Sequence, residues 1–171
     1  MSLQIKQEFD PKQNRHYTNG EAYVLHCHHY AVLFSQLADD AKDLDGPTQL
    51  RNAFAETAYP ILQKYFQEHN VANIADKLAI AEEYSLFTGL GKIKISFDGN
   101  QGSAEMIHSH IDEGWVKKFG QTDHAINYIG QGYLDAVASA ASGNAVHSFK
   151  VEETQSIVCG ASTSQFKITK A

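Results

Sequence analysis

Residues 91–110, GKIKISFDGNQGSAEMIHSH, contain the change of period on which the fold turns. Ile93, Ile95 and Phe97 alternate with Lys92, Lys94 and Ser96, the period of two expected of a strand with one face in a core and the other in water. DGNQG supplies the turn, and Ser103 to His110 reads as the returning strand, with Ala104, Met106, His108 and His110 directed to one side.

Upstream of this stretch the period is helical. Tyr23, Cys27, Tyr30, Phe34 and Leu37 recur at helical spacing between Glu21 and about Lys42, behind Asn19 as a candidate cap. A second helix is predicted after Gly46-Pro47-Thr48, with Leu50, Phe54, Ala58, Ile61 and Tyr65 on one stripe; Pro60 inside it predicts a kink or a break. A third, roughly Val71 to Tyr84, runs into the punctuation Thr88-Gly89-Leu90-Gly91.

Downstream, Asp112 is positioned to cap a short helix through Phe119 that Gly120 ends. Another helix, capped near Asp123, runs through Ile129, Tyr133, Val137 and Ala141 to Gly143, and two strands, about Ala145 to Ile157 and Ser164 to Thr169, close the chain as a hairpin. The chain is thus read as helical over 19–90 and sheet-rich over 91–171. Strands arriving in neighbouring pairs, with helices between the pairs, predict an α+β fold: one domain with an antiparallel sheet flanked by helices.

Bulk composition narrows the function classes. A chain of 171 residues with 43% hydrophobic residues supports one well-cored domain. Its formal charge of -6, with 14 scattered Lys and Arg, argues against a nucleic-acid partner, because phosphate contacts need clustered cations. No apolar run approaches the roughly 20 residues that span a bilayer, and MSLQIKQEFD lacks a basic-then-apolar signal pattern, which predicts a cytoplasmic location and no membrane contact. Cys27 and Cys159 are expected to be reduced, buried thiols. GLGKIKIS precedes a strand instead of opening a helix, and no GxSxG is present, so neither a phosphate cradle nor a standard hydrolase elbow is implied.

Two histidine clusters remain. In HCHHY, residues 26–30, His26 and His29 would share a helical face and form half of a metal site, but there is no HExxH or CxxC to complete it. In HSHIDEGW, residues 108–115, His108 and His110 with Trp115 suit a pocket holding a small polar or aromatic head group. The same residues would also serve as a metal half-site, as an acid–base pair, or simply as an exposed strand end entering a capped helix.

From about Ile107 onward, EGWVKKFG, INYIGQGYLDAVASAASG and FKVEETQSIVCGASTSQFKI together resemble the 4-vinyl reductase-like domain family, also described as predicted hydrocarbon-binding domains; the likeness covers about 65 residues. The family ends in a strand bearing Glu-Thr, a Cys three residues after that Glu, a Gly, a second Cys and an aromatic two residues beyond it. Glu153, Thr154, Gly160 and Phe166 match, while Ser156 and Ser164 occupy the cysteine positions. Asn127, ahead of Gly132-Tyr133, falls where a third Cys belongs. In zinc-bearing relatives, which include ligand-sensing domains of phenol-responsive transcription activators, the three Cys and the Glu hold the metal. Serine hydroxyls bind zinc poorly, so the resemblance implies a degenerate site here and no cofactor. Glu153, on the inward phase of Phe149 and Val151, is expected to find partners among Asn127, Ser156 and Ser164.

The resemblance further implies an apolar pocket enclosed by the helix-flanked sheet, ligand binding in preference to catalysis, and often a homodimer. The leading expectation is therefore a binding or sensor domain for a small apolar or aromatic molecule, contacted by His108, His110, Trp115 and Tyr133 with Tyr30 and Phe34. One rival is a metal-dependent enzyme drawing ligands from His26, His29, His108 and His110. The other is a scaffold subunit whose role is to pair with another chain.

Overall fold

The computed structural model describes residues 2–24 and 27–171. Strands β4 (Gly91–Phe97) and β5 (Gln101–Ser109) form the hairpin that the alternating pattern predicts, and β6 (Phe149–Gln155) and β7 (Ser164–Lys170) form the closing one. The four make an antiparallel sheet in the order β4-β5-β7-β6. Ile93, Phe97, Ala104, Met106, Phe149, Val151, Phe166 and Ile168 point to one face and are buried, while Lys92, Lys94, Glu105, Lys150 and Lys167 point to water.

The helices lie on the apolar face. They are α1 (His28–Asp40), α2 (Gly46–Glu68), α3 (Ile74–Thr88), α4 (His110–Phe119) and α5 (Tyr128–Ser142). Helix α5 is the hub, with every residue from Tyr128 to Ala141 buried against the sheet and α2. Gly132 permits a close approach to α2: a Cβ there would sit 2.3 Å from the Arg51 carbonyl oxygen. A second, smaller core joins α1, α4 and the start of α5 through Val32, Ile111, Trp115, Ile129 and Val158.

Several expectations change. The segment Glu21–Tyr23 is not helical but a third strand, β3, joined to β1 (Gln7–Asp10) and β2 (Arg15–Thr18) in a separate small antiparallel sheet. Asn19 is not a helix cap; it takes a left-handed turn with φ 49°, and its side chain bridges Lys6 N and Gln4 O. These strands are mostly exposed, so no hydrophobic alternation marks them. Pro60 does not break α2, which continues to Glu68. Pro60 and Glu56 both face outward, so water can reach the carbonyl that loses its helical donor. The cap of α4 is Ser109, whose hydroxyl accepts from Asp112 N, and that of α5 is Asn127, which accepts from Gly130 N; neither Asp112 nor Asp123 caps. Cys27 and Cys159 are exposed instead of buried. Among the described residues no helix is long and apolar enough to cross a membrane.

A bulge decides the histidines. Lys92 pairs with His108 and Ile93 with Met106, leaving Ile107 without a partner across the ladder. The extra residue reverses the alternation: Met106 and Ser109 point inward, and His108 points out. His108 and His110 therefore do not share a strand face, and His110 already belongs to α4.

Candidate functional site

Two features stand out, an apolar groove and a buried polar corner. The groove runs between α1 and α2 and is floored by the α3–β4 connection and the heads of α4 and α5, with a cavity volume of about 290 Å³. Tyr30 and Phe34 form its outer rim, edge to face with ring centroids 5.1 Å apart. Leu50, Phe54, Leu90, Ile111 and Ile129 supply the apolar wall. This volume and lining suit a small organic molecule. By contrast, the hollow beside Leu3, Ile61 and Tyr84 has room for about 20 Å³, little more than one water.

The groove's polar atoms are biased toward accepting. Thr57 Oγ1 donates to Ala53 O at 2.8 Å and Thr88 Oγ1 to Tyr84 O at 2.9 Å, so both hydroxyl hydrogens are engaged and the oxygens retain lone pairs. His110 adds an imidazole, its ring 5.7 Å from that of His28. Among the described residues no Lys, Arg, Asp or Glu lines the groove.

Of the residues predicted to contact a ligand, the structure brings Tyr30, Phe34 and His110 to this groove. Tyr133 lies behind it in the core, where Phe54 covers its ring at 6.5 Å and its hydroxyl donates to Ala81 O at 2.6 Å; burial holds that phenol well above its usual pKa. Trp115 is buried in the second core against Phe119, and His108 stands at the surface, 3.1 Å from Glu113 Oε1. Leu50 and Phe54 were legible only as a helical stripe; that they face a groove and not a packed neighbour is a tertiary fact.

Among the described residues the histidine metal set is not assembled. His26 lies outside the described residues, His29 is exposed beside His28, and no group of three or more His, Cys, Asp or Glu is placed to hold a metal among the described residues.

The degenerate metal positions do converge. Asn127, Ser164 and Ser109 are buried around Asp112, with Asn127 Nδ2 donating to Asp112 Oδ2 and to Ser109 Oγ at 3.1 Å each, and Ser164 Oγ donating to Asp112 Oδ2 at 2.8 Å. Asn127 N donates to Glu153 Oε2 at 3.3 Å, and Ile157 N to Ser164 Oγ at 3.0 Å. Ser156 lies close enough to favour the charged form of Glu153, though its hydroxyl makes no hydrogen bond of good geometry. Burial and then the Asp112 carboxylate push the Glu153 carboxyl up to about 7. Burial likewise raises Asp112 against the hydrogen bonds from Ser164, Ser109 and Asn127. Asp112 was foreseen only as a cap; its full burial could not be read from its spacing. A structural zinc does not fit this donor set of carboxylates, amide and hydroxyls, which contains no thiolate or imidazole.

No family model matches the chain, and no curated protein does. Among solved structures it is similar to the phenol-responsive sensory domain of the transcription activator PoxR with phenol, with a TM-score of 0.75 at 11% identity over 96% of this chain and 84% of that one. It is also similar to trafficking protein particle complex subunit 3 from Naegleria fowleri covalently bound to palmitic acid, with a TM-score of 0.53 at 12% identity over 84% of this chain and 95% of that one. At such identities the likeness is one of fold alone.

Proposed function

We propose that this protein is a cytoplasmic small-molecule-binding or sensor domain, related to the 4-vinyl reductase-like family, that takes an uncharged apolar or aromatic ligand in the groove between α1 and α2. The observation that carries this reading is the aromatic-rimmed, charge-free groove of about 290 Å³. Its engaged threonine hydroxyls accept but do not donate, which suits a ligand hydroxyl such as that of a phenol and disfavours a carboxylate. The fold shared with a phenol-responsive sensory domain supports the same direction.

The test is calorimetric titration of the whole chain with phenol, an alkylphenol and palmitate, repeated with Phe54→Ala. Saturable binding of a phenol that weakens at least tenfold in the variant is expected, an order of magnitude that matches loss of a buried aromatic contact. Palmitate bound more tightly than any phenol would reverse the head-group assignment, and no binding of any of the three would sink the reading.

The homodimer belongs to the same proposal. Tyr30, Leu33, Phe34 and Leu37 are exposed together along α1, an apolar face that a second copy could cover. Sedimentation equilibrium is expected to give a dimer that Leu37→Glu dissociates; a monomer at high micromolar concentration would remove this element.

A further inference from the structure

A second hollow, of about 360 Å³, opens between α2, α5 and the edge strand β6. Helix α2 separates it from the groove: Leu50, Ala53, Phe54 and Thr57 line the groove, while Arg51 and Asn52 line the hollow. The Arg51 guanidinium donates from Nη1 to Gln131 Oε1 at 3.1 Å and from Nη2 to Thr48 Oγ1 at 2.7 Å, two neutral acceptors, and among the described residues no carboxylate pairs with it. Of the five N–H groups of a guanidinium, these bonds use two and leave three. Gln131 is only 6% exposed and lines the same hollow; its oxygen is fixed by Arg51, and no described residue accepts from its amide nitrogen. The neighbouring acids have partners of their own. Asp135 Oδ1 accepts from Ser139 Oγ at 3.1 Å and from the Phe149 amide at 3.4 Å. His147, held in a left-handed conformation with φ 66°, stands 3.1 Å from Asp135 Oδ2 and 3.2 Å from Glu56 Oε1.

A partly buried cation with neutral partners, beside a buried amide with hydrogens to give, is a donor set without its acceptor. Water can accept from these hydrogens but brings no charge. A carboxylate does both, because its two coplanar oxygens match the fork of a guanidinium. The charges favour one negative charge over two: Lys150 is exposed and screened by solvent, and Asp135 lines the same hollow, so Arg51 alone is left to offset. We propose that this hollow binds a small organic monocarboxylate, its oxygens held by Arg51 and the Gln131 amide and its apolar end directed to Phe149 and Val151. The two sites then divide ligand chemistry between them. The groove, without a charged side chain among its described lining residues, takes the uncharged molecule, and the hollow takes the anion.

The chain has two arginines, Arg15 and Arg51, and Arg15 is exposed in β2, so it serves as an internal control. Nitrogen–proton correlation spectra of the whole chain, in mildly acidic buffer at fixed ionic strength, follow the Nε–H signal of each as acetate, benzoate, inorganic phosphate or chloride is added. Saturable movement of the Arg51 signal with benzoate and acetate at millimolar concentration is expected, with Arg15 still. Gln131→Glu keeps the side-chain shape and gives Arg51 an internal carboxylate; it is expected to weaken benzoate at least about tenfold, as loss of a charge-assisted hydrogen bond does. Arg51→Gln is expected to remove the heat of benzoate binding in calorimetry, and if that variant does not fold, Gln131→Glu decides. The proposal is overturned by an Arg51 signal that does not move, by both arginines moving together without saturation, by phosphate binding more tightly than either carboxylate, or by undiminished affinity in Gln131→Glu. The signal is local to Arg51, so its outcome stands apart from that of the phenol titration of the groove.

Discussion

The Asp39 carboxylate at the end of α1 accepts a hydrogen bond from the Tyr128 hydroxyl at the head of α5, 2.9 Å away. Asp39 is mostly buried, and this contact ties the outer wall of the groove to the hub helix. The phenol is driven up by burial and then by Asp39, so it is a donor throughout the physiological range. Tyr128→Phe removes the donor but keeps the ring. It is expected to cost about 1.5–3 kcal/mol, the range for a hydrogen bond to a charged group, and to weaken ligand binding because α1 carries Tyr30 and Phe34. Urea denaturation measures the first effect and calorimetry the second.

The same carboxylate meets His124 Nε2 at 2.9 Å, while Asp123 Oδ1 sits 2.7 Å from Nδ1. The Asp123 hydrogen bond, helped by Asp39 and opposed by burial, raises the imidazole above its ordinary 6.5. A histidine raised in the folded state stabilises fully below its unfolded value, and that stabilisation is lost as pH climbs through the folded one. His124→Ala is therefore expected to lower Tm more at about pH 5.5 than at about pH 8.5. Equal shifts at both would show that the imidazole contributes packing alone. Asp39 is lowered by Tyr128 and His124 against burial, so its own contribution holds above its ordinary 3.8 and fails in stronger acid.

Gly132 and Gly143 provide a paired test of packing. A Cβ at Gly132 would meet the Arg51 carbonyl at 2.3 Å, a backbone atom that cannot move without separating α2 from α5, whereas at Gly143 nothing lies within 4 Å but φ is +74°. Gly132→Ala is expected to cost about 2 kcal/mol or more, as overpacking does. Gly143→Ala is expected to cost about 1 kcal/mol, the local penalty of a left-handed residue. A reversed order in denaturation experiments would show that α2 and α5 yield easily.

His108 should be silent. Its side chain is 70% exposed, and it pairs with a Glu113 that is itself 55% exposed. His108→Ala is expected to change stability by less than about 0.5 kcal/mol, because exposed ion pairs contribute little. Ligand affinity in the groove should not move, and a large loss in either measurement would place this histidine in a site that the fold does not indicate.

The alternation of Ile93, Ile95 and Phe97 against lysines and serine, and the helical stripe of Leu50, Phe54, Ala58 and Tyr65, were legible because burial on one face imposes a period that neighbours in sequence must obey. The same logic made the closing hairpin and the glycine stops at Gly89 and Gly143 readable. The exposed strands β1 to β3 left no such trace, since their order rests on backbone pairing and on turns at Asn14 and Asn19 that composition barely marks.

The positions of Asn127, Glu153, Ser156 and Ser164 could be matched to a family's ending, but Asp112 among them could not. It comes from another element and reaches them only when α4 packs beside the β6–β7 turn. The bulge at Ile107 shows the limit most plainly. Period two in the chain predicted His108 and His110 on one face, and a single unpaired residue, set by how β5 must leave β4 to start α4, turned one histidine to solvent and the other toward the groove. Periodicity is local and was written in the sequence. Which faces meet depends on packing between segments far apart in it, and only the tertiary structure decided that.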